Sequence, residues 1–276
     1  MRTKILAVAV VFVGLACNEQ RNKAIELMNQ GVQKYNNRLL DSAEKDLQAA
    51  IAADPSFGLA HYNLGKVYEQ QKKWKEAADE YAKTVSSEPN NENYHYDLGH
   101  AYQENGQLDL AEKELNEAVK LQPKHFKAFY RLGVVFEAKE KFKEADDMYR
   151  KCIAINPRFP NAFASLGFLY LNNDYIKEAE QVFQNATVAN DGDGDSWYGL
   201  GLARKELTNF DGAVEAFKKA MERGAHSPDL KYNLALAYHS KGDDAHAKSI
   251  LDDFLKTGAR DPDLMKAAND LRYTIP

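Results

Sequence analysis

The chain carries few of the residues from which catalytic or metal sites are built. Of its 276 residues only two are cysteine, Cys17 and Cys152, too few for a disulfide framework. There is no glycine-rich phosphate loop, no CxxC pair and no HExxH helix. The seven histidines are scattered, and His95 and His100, five apart, are poorly spaced to share a metal from one helix. Lys and Arg number 36 against 41 Asp and Glu, a net charge of −5. A nucleic-acid partner calls for a clustered basic surface, so none is expected. No catalytic residues, cofactor or metal are expected, which leaves recognition surfaces to carry the function.

What the chain does have is a period. Alanine recurs every thirty-four residues at Ala43, Ala77, Ala111, Ala145, Ala179, Ala213 and Ala247. Glycine keeps the same register from Gly31 through Gly65, Gly99, Gly133 and Gly167 to Gly201, and proline at Pro55, Pro89, Pro123 and Pro157. Within one period, Leu64, Gly65 and Tyr68 share a helix face, and Trp74, Ala77, Ala78 and Tyr81 share another. Residues 70–73 turn the chain between them. Gly65 and Ala77 are small so that the two helices approach closely. Pro89 stops the second helix, because its ring cannot continue the hydrogen-bond ladder. The unit is a helical hairpin that needs neighbours on both sides to bury its apolar face.

These motifs resemble the tetratricopeptide repeat, with its thirty-four-residue period, Leu-Gly/Tyr first helix and Ala/aromatic second helix. Seven units start at residues 24, 58, 92, 126, 160, 194 and 228 and fill 24–261. Departures are local: Gln30 and Lys34 in the first unit, Arg204 in the sixth, and His61, His95 and Lys231 where tryptophan is frequent. The resemblance implies an all-α, right-handed superhelical solenoid of about seven hairpins. Residues 262–276 add a capping helix with an apolar stripe of Leu264, Ala267, Ala268 and Leu271. Cys152 falls at a small buried repeat position and is expected to be a structural thiol.

Residues 1–16 have a basic start (Arg2, Lys4) and a short apolar run from Ile5 to Leu15, ending Gly14-Leu15-Ala16-Cys17. This resembles a bacterial lipoprotein signal. It implies cleavage after Ala16, lipidation of Cys17 and anchorage to a bilayer through several acyl chains. An ordinary secreted protein and a retained anchor are the alternatives. Asn18 is not the aspartate that retains many lipoproteins in the inner membrane, which favours the outer membrane, facing the periplasm. Residues 17–23 then form the lipidated cysteine and a short tether, about 20 Å from Asn18 to Lys23 if fully extended.

Punctuation changes in the later repeats. Asn190 to Asp195 alternates acids like a calcium loop, but Ser196 and Leu202 stand where such a loop needs glycine and glutamate. The other reading is a turn with Asp195 capping the next helix. Gly224 and Gly258 look like helix-terminal glycines; Ser227-Pro228 and Asp261-Pro262 look like helix starts.

In the family, fixed first-helix positions line the concave side. The fifth gives Met28, Tyr62, Tyr96, Tyr130, Ala164, Tyr198 and Tyr232, a tyrosine ladder suited to peptide binding. The ninth and twelfth are polar in repeats two and three (Lys66, Glu69, His100, Gln103). In repeats four to six they are Val134, Glu137, Phe168, Leu171, Leu202 and Lys205, and in repeat seven Leu236 and His239, so the inner face turns apolar toward the C-terminal half. An apolar groove there marks a partner site, unless these residues pack under one another. The first repeat is also apolar, at Ile25, Met28, Val32 and Tyr35, and is a second candidate site. Lys127 and Arg131 match part of the carboxylate clamp of chaperone-binding members, whereas Tyr62, Lys66 and Asp97 depart from it.

The expectation is a lipid-anchored, periplasm-facing adaptor that binds an envelope protein or peptide. Its architecture resembles the type IV pilus pilotins, which help a secretin localise and oligomerise, so a secretin subunit is one possible partner. The alternatives are a scaffold for peptidoglycan enzymes or proteases, or a structural subunit of an envelope machine.

Overall fold

The structure, a computed structural model, describes the backbone of residues 2–257 and 261–275 and the side chains of 19–256 and 261–275. The side chains of the leader and of Cys17, and Gly258, lie outside the described residues. The described residues form fifteen helices and no strand. They fall into two compact units, Met1–Lys139 and Glu140–Pro276.

The first unit holds α1 (Arg2–Asn36), α2 (Leu40–Ala53), α3 (Gly58–Gln70), α4 (Trp74–Ser87), α5 (Glu92–Glu104), α6 (Leu108–Leu121) and α7 (Phe126–Ala138). The second holds α8 (Phe142–Ile155), α9 (Pro160–Asn172), α10 (Ile176–Ala189), α11 (Gly194–Glu206), α12 (Phe210–Glu222), α13 (Leu230–Ser240), α14 (Asp244–Thr257) and α15 (Pro262–Thr274). Consecutive helices pack pairwise within each unit, as stacked hairpins require.

The hairpin interior is set by one contact. The seven periodic alanines are fully buried. One residue of each second helix (Leu47, Tyr81, Leu115, Tyr149, Phe183, Phe217, Leu251) is no more than 1% exposed. Gly65 faces the Tyr81 ring: a Cβ there would lie 2.5 Å from it. The glycine therefore makes room for a side chain of the second helix, a more specific role than close approach to Ala77. Phe183 is enclosed twice, since a Cβ on Gly167 or on Gly199 would lie 2.4 Å or 2.2 Å from its ring.

The turns inside the hairpins share a feature. Arg38, Lys72, Gly106, Glu140, Asp174, Thr208 and Gly242, thirty-four apart, all have φ between 57° and 87°. Five of these are not glycine, and Thr208 is β-branched, the type that tolerates the left-handed region least.

Several local expectations are corrected. Residues 18–23 are not an extended tether but part of α1, so at helical rise they cover about 9 Å. Arg21 fixes this stretch to the first repeat, pairing with Asp54 at 2.5 Å with its guanidinium 3.8 Å from the Phe57 ring centroid. The N-cap of α11 is Asp193, which accepts from the Ser196 hydroxyl. Asp195 instead accepts the backbone N–H of His226, and Asp191 pairs with Arg223. Each acid of the alternating run thus has a protein partner. Among the described residues no cluster of three or more His, Cys, Asp or Glu could hold a metal ion. Helix α13 starts at Leu230, two residues after Pro228. Asp261 does cap α15, accepting from the N–H groups of Asp263 and Leu264. Gly224 (φ 73°) follows α12, and Cys152 is fully buried. Helix α15 packs on α13 and α14 through Ala268, Leu264 and Leu271, with Lys266 and Asn269 exposed.

Two stability outcomes follow. Gly199→Ala overpacks a ring held on both sides and lowers stability by about 1–3 kcal/mol despite alanine's better helix propensity. Gly192→Ala, in an open turn, leaves it nearly unchanged. Urea unfolding compares them, and equal midpoints would show that the Phe183 ring is not confined. Thr208→Gly relieves a left-handed backbone costing roughly 1–2 kcal/mol, offset by about 0.5–1 kcal/mol of added unfolded-state freedom. Its melting temperature should rise.

Candidate protein-binding faces

The first-helix face of the first unit is charged and aromatic. Tyr62 is half-buried, its ring centroid 4.8 Å from that of Tyr94 and 5.8 Å from that of Tyr81. Its hydroxyl donates to Asp97 Oδ2 at 2.9 Å. Lys66 Nζ sits between Glu69 Oε2 (3.0 Å) and Asp97 Oδ1 (3.3 Å), and the Tyr81 hydroxyl donates to Glu69 Oε2 at 2.6 Å. Burial pushes the Asp97 carboxyl up, against the pull of Lys66 and Tyr62. Burial also works against the Lys66 charge, yet Asp97 and Glu69 outweigh it and hold the ammonium above its ordinary range.

The network continues along α5. His100 lies 3.8 Å from Glu69 and 3.5 Å from Glu104, which also takes Arg131 at 3.3 Å. Burial, then the nearby Arg131 charge, lowers the His100 pKa. The Tyr96 ring is stacked between His100 (6.4 Å) and His125 (5.0 Å). Arg131, which matches part of a carboxylate clamp, is thus drawn to Glu104 of the protein itself. Tyr130 and Val134, on α7, are half-buried.

The corresponding face of the second unit is more apolar, with Lys205 held by Asn233 at 3.0 Å. Phe168, Leu171 and Leu202 are half-buried, and Phe168 meets Phe183 edge-on at 5.3 Å. Leu236 is half-buried on α13, while Tyr232 packs onto the cluster around Leu251 and Ala268. Tyr198 does not present a free ring: it is 5% exposed. Its hydroxyl donates to Asp229 Oδ2 at 2.6 Å and accepts from Asn233 Nδ2 at 3.2 Å. Burial, then Asp229, pushes that hydroxyl's pKa up.

The candidate site in the first repeat divides. Met28 is 7% exposed and belongs to the core, and Val32 and Tyr35 pack against it. Ile25, at 38%, is the exposed member. Sequence reasoning registered Lys66, Glu69 and His100 as polar positions but missed their joining through Asp97, Tyr62 and Tyr81. The available signal was that charged residues stand at facing positions of consecutive repeats.

No curated protein matches the chain. Models of the tetratricopeptide repeat match residues 28–92, 96–158 and 206–268, together more than half of it. Solved structures share the fold. A tetratricopeptide repeat protein from Parabacteroides merdae is 18% identical, with a TM-score of 0.66, over 90% of this chain and 99% of that one. PilF of Pseudomonas aeruginosa is 20% identical, with a TM-score of 0.61, over 78% of this chain and 97% of that one. PilW, described as a widely conserved type IV pilus biogenesis factor, is 17% identical, with a TM-score of 0.64, over 76% of this chain and 98% of that one. At these identities the likeness is one of fold. Such arrays bind peptides or proteins and are generally non-catalytic scaffolds. With its period, its hairpins and its stacked first helices, the chain belongs to the tetratricopeptide repeat family.

Proposed function

We propose that the protein is a lipid-anchored adaptor of the cell envelope that captures a partner protein on its first-helix faces. The observation that carries this reading is the row of half-exposed apolar side chains at Phe168, Leu171 and Leu202, on adjacent first helices of one unit. Apolar rows left partly open on a repeat array suit the apolar side of a peptide or helix. The aromatic and charged face around Tyr62 and Tyr96 offers a second surface with polar selectivity.

The anchor is Cys17, after a basic and apolar leader, and the outer membrane facing the periplasm is the compartment that Asn18 favours. Helix α1 would then join the lipid to the first repeat with little slack. Among such adaptors the pilotins of type IV pili fit best. The fold is shared with PilF and PilW, and the partner would be a secretin subunit.

Two outcomes test this. Cys17→Ser abolishes incorporation of labelled fatty acid and moves the protein from the membrane to the soluble fraction; retention of the label would sink the anchor. In intact cells, crosslinking followed by mass spectrometry should capture a secretin. Phe168→Glu with Leu202→Glu, folded by circular dichroism, should reduce that capture about tenfold or more, as loss of a central contact worth roughly 2 kcal/mol does. Peptidoglycan enzymes in place of a secretin would make the protein their scaffold. Capture unchanged in the double variant would place the partner elsewhere.

A further inference from the structure

Two histidines are built into the first unit in the same way. His61, on α3, is 5% exposed, and His95, on α5, is 6% exposed. His61 Nδ1 lies 2.5 Å from Glu80 Oε2, and its Nε2 lies 3.1 Å from the Pro55 carbonyl oxygen. His95 repeats this thirty-four residues later, with Nδ1 2.7 Å from Glu114 Oε2 and Nε2 2.9 Å from the Pro89 carbonyl oxygen. In each case the second carboxylate oxygen faces a lysine: Lys83 at 2.7 Å from Glu80 Oε1, Lys113 at 3.3 Å from Glu114 Oε1.

Both nitrogens of each ring therefore face oxygens. A carbonyl only accepts, so Nε2 must donate to it. The sixth repeat shows the same bond in unambiguous form. Trp197 Nε1–H, at the same repeat position, donates to the Asp191 carbonyl, again six residues upstream, at 3.0 Å. With Nε2 so committed, a neutral imidazole would turn a bare Nδ1 lone pair toward a carboxylate at hydrogen-bond distance. That contact is repulsive and buried.

We infer that His61 and His95 each donate from both ring nitrogens, Nδ1 to the carboxylate of Glu80 or Glu114 and Nε2 to the carbonyl of Pro55 or Pro89, so that repeats two and three are closed by charged clasps. Each clasp ties a first helix to the second helix of its own hairpin and to the turn that precedes it. The groups facing His61 are Glu80 and, through it, Lys83. Those facing His95 are Glu114 and, through it, Lys113, with Glu117 one turn further along α6. Helices α3 and α5 carry Tyr62, Lys66, Tyr96 and Asp97, so the clasps hold the charged first-helix face in register. The device does not depend on which partner the face binds.

The molecule supplies its own reference. His125, the N-cap of α7, accepts the Ala128 N–H on Nδ1 at 3.1 Å, so that nitrogen must be bare. Burial lowers the His125 pKa, in keeping with a neutral ring. In the full chain in detergent micelles, with 15N-labelled histidine assigned through His61→Gln and His95→Gln, both ring nitrogens of His61 and His95 should read as protonated at neutral pH. His125 should show one bare nitrogen. A bare nitrogen in His61 and His95 as well would overturn the inference. Glu80→Gln with Glu114→Gln, which keeps the side-chain shape and removes the carboxylate charge, should lower the melting temperature of the same chain by several degrees. An unchanged melting temperature in the double variant would equally overturn it. Should the double variant fail to fold, the spectrum of the unaltered protein decides.

Discussion

The structure depends on rings and leucines of second helices seated where a first helix lacks a side chain. Gly65 receives Tyr81, Gly99 receives Leu115, and Gly201 receives Phe217. Because the seat is made of missing atoms, it cannot be widened by a rotamer change, and the helix separation in each hairpin is fixed by the thickness of the side chain it holds. Phe183 carries the constraint from one hairpin to the next, since it touches Gly167 of its own repeat and Gly199 of the following one. Helix spacing in turn sets the spacing of the side chains on the first-helix faces. The chemistry of those faces can vary while their geometry is held from beneath.

This explains what was legible in the sequence. A contact repeated at one period leaves a trace at every repeat, so the hairpins, their turns and the buried alanines could be read from the letters. The left-handed turn residue could not, although it is just as periodic. Glycine marks it only at Gly106 and Gly242, while Arg38, Lys72 and Thr208 give no sign of it. Partnerships between distant residues were likewise hidden. Arg21 is fixed by Asp54, thirty-three residues on, and so a stretch that reads as a tether becomes the start of a packed helix. Asp193 and Asp195 exchange roles because His226, far along the chain, claims the second of them.

The two first-helix faces are held by different forces. Around Asp97 the charges are largely removed from water: the Asp97 side chain is 9% exposed, Glu69 24% and Lys66 28%. Such a cluster gains little net stability, because desolvation offsets attraction, but it penalises any arrangement that separates its members. It therefore favours one geometry over others. The apolar row of the second unit carries no such penalty. Phe168, Leu171 and Leu202 keep part of their surface in water, and any partner that covers them gains from its removal.

The tyrosine ladder shows how a repeated position acquires different roles. Tyr62, Tyr96 and Tyr198 stand at the same place in their repeats, yet one is half-buried and anchored, one is stacked, and one is almost closed off. What differs is the residue thirty-five positions ahead, on the first helix of the next repeat. For Tyr62 it is Asp97, which takes the hydroxyl hydrogen. For Tyr198 it is Asn233, which donates to the hydroxyl while Asp229 accepts from it, so that the ring is drawn down. For Tyr96 it is Arg131, whose guanidinium is occupied by Glu104, leaving the ring to lie between two imidazoles. A tyrosine in this register is thus not in itself a binding residue. The side chain one repeat further on decides whether its hydroxyl is spent inside the array, and the ladder has to be read in pairs.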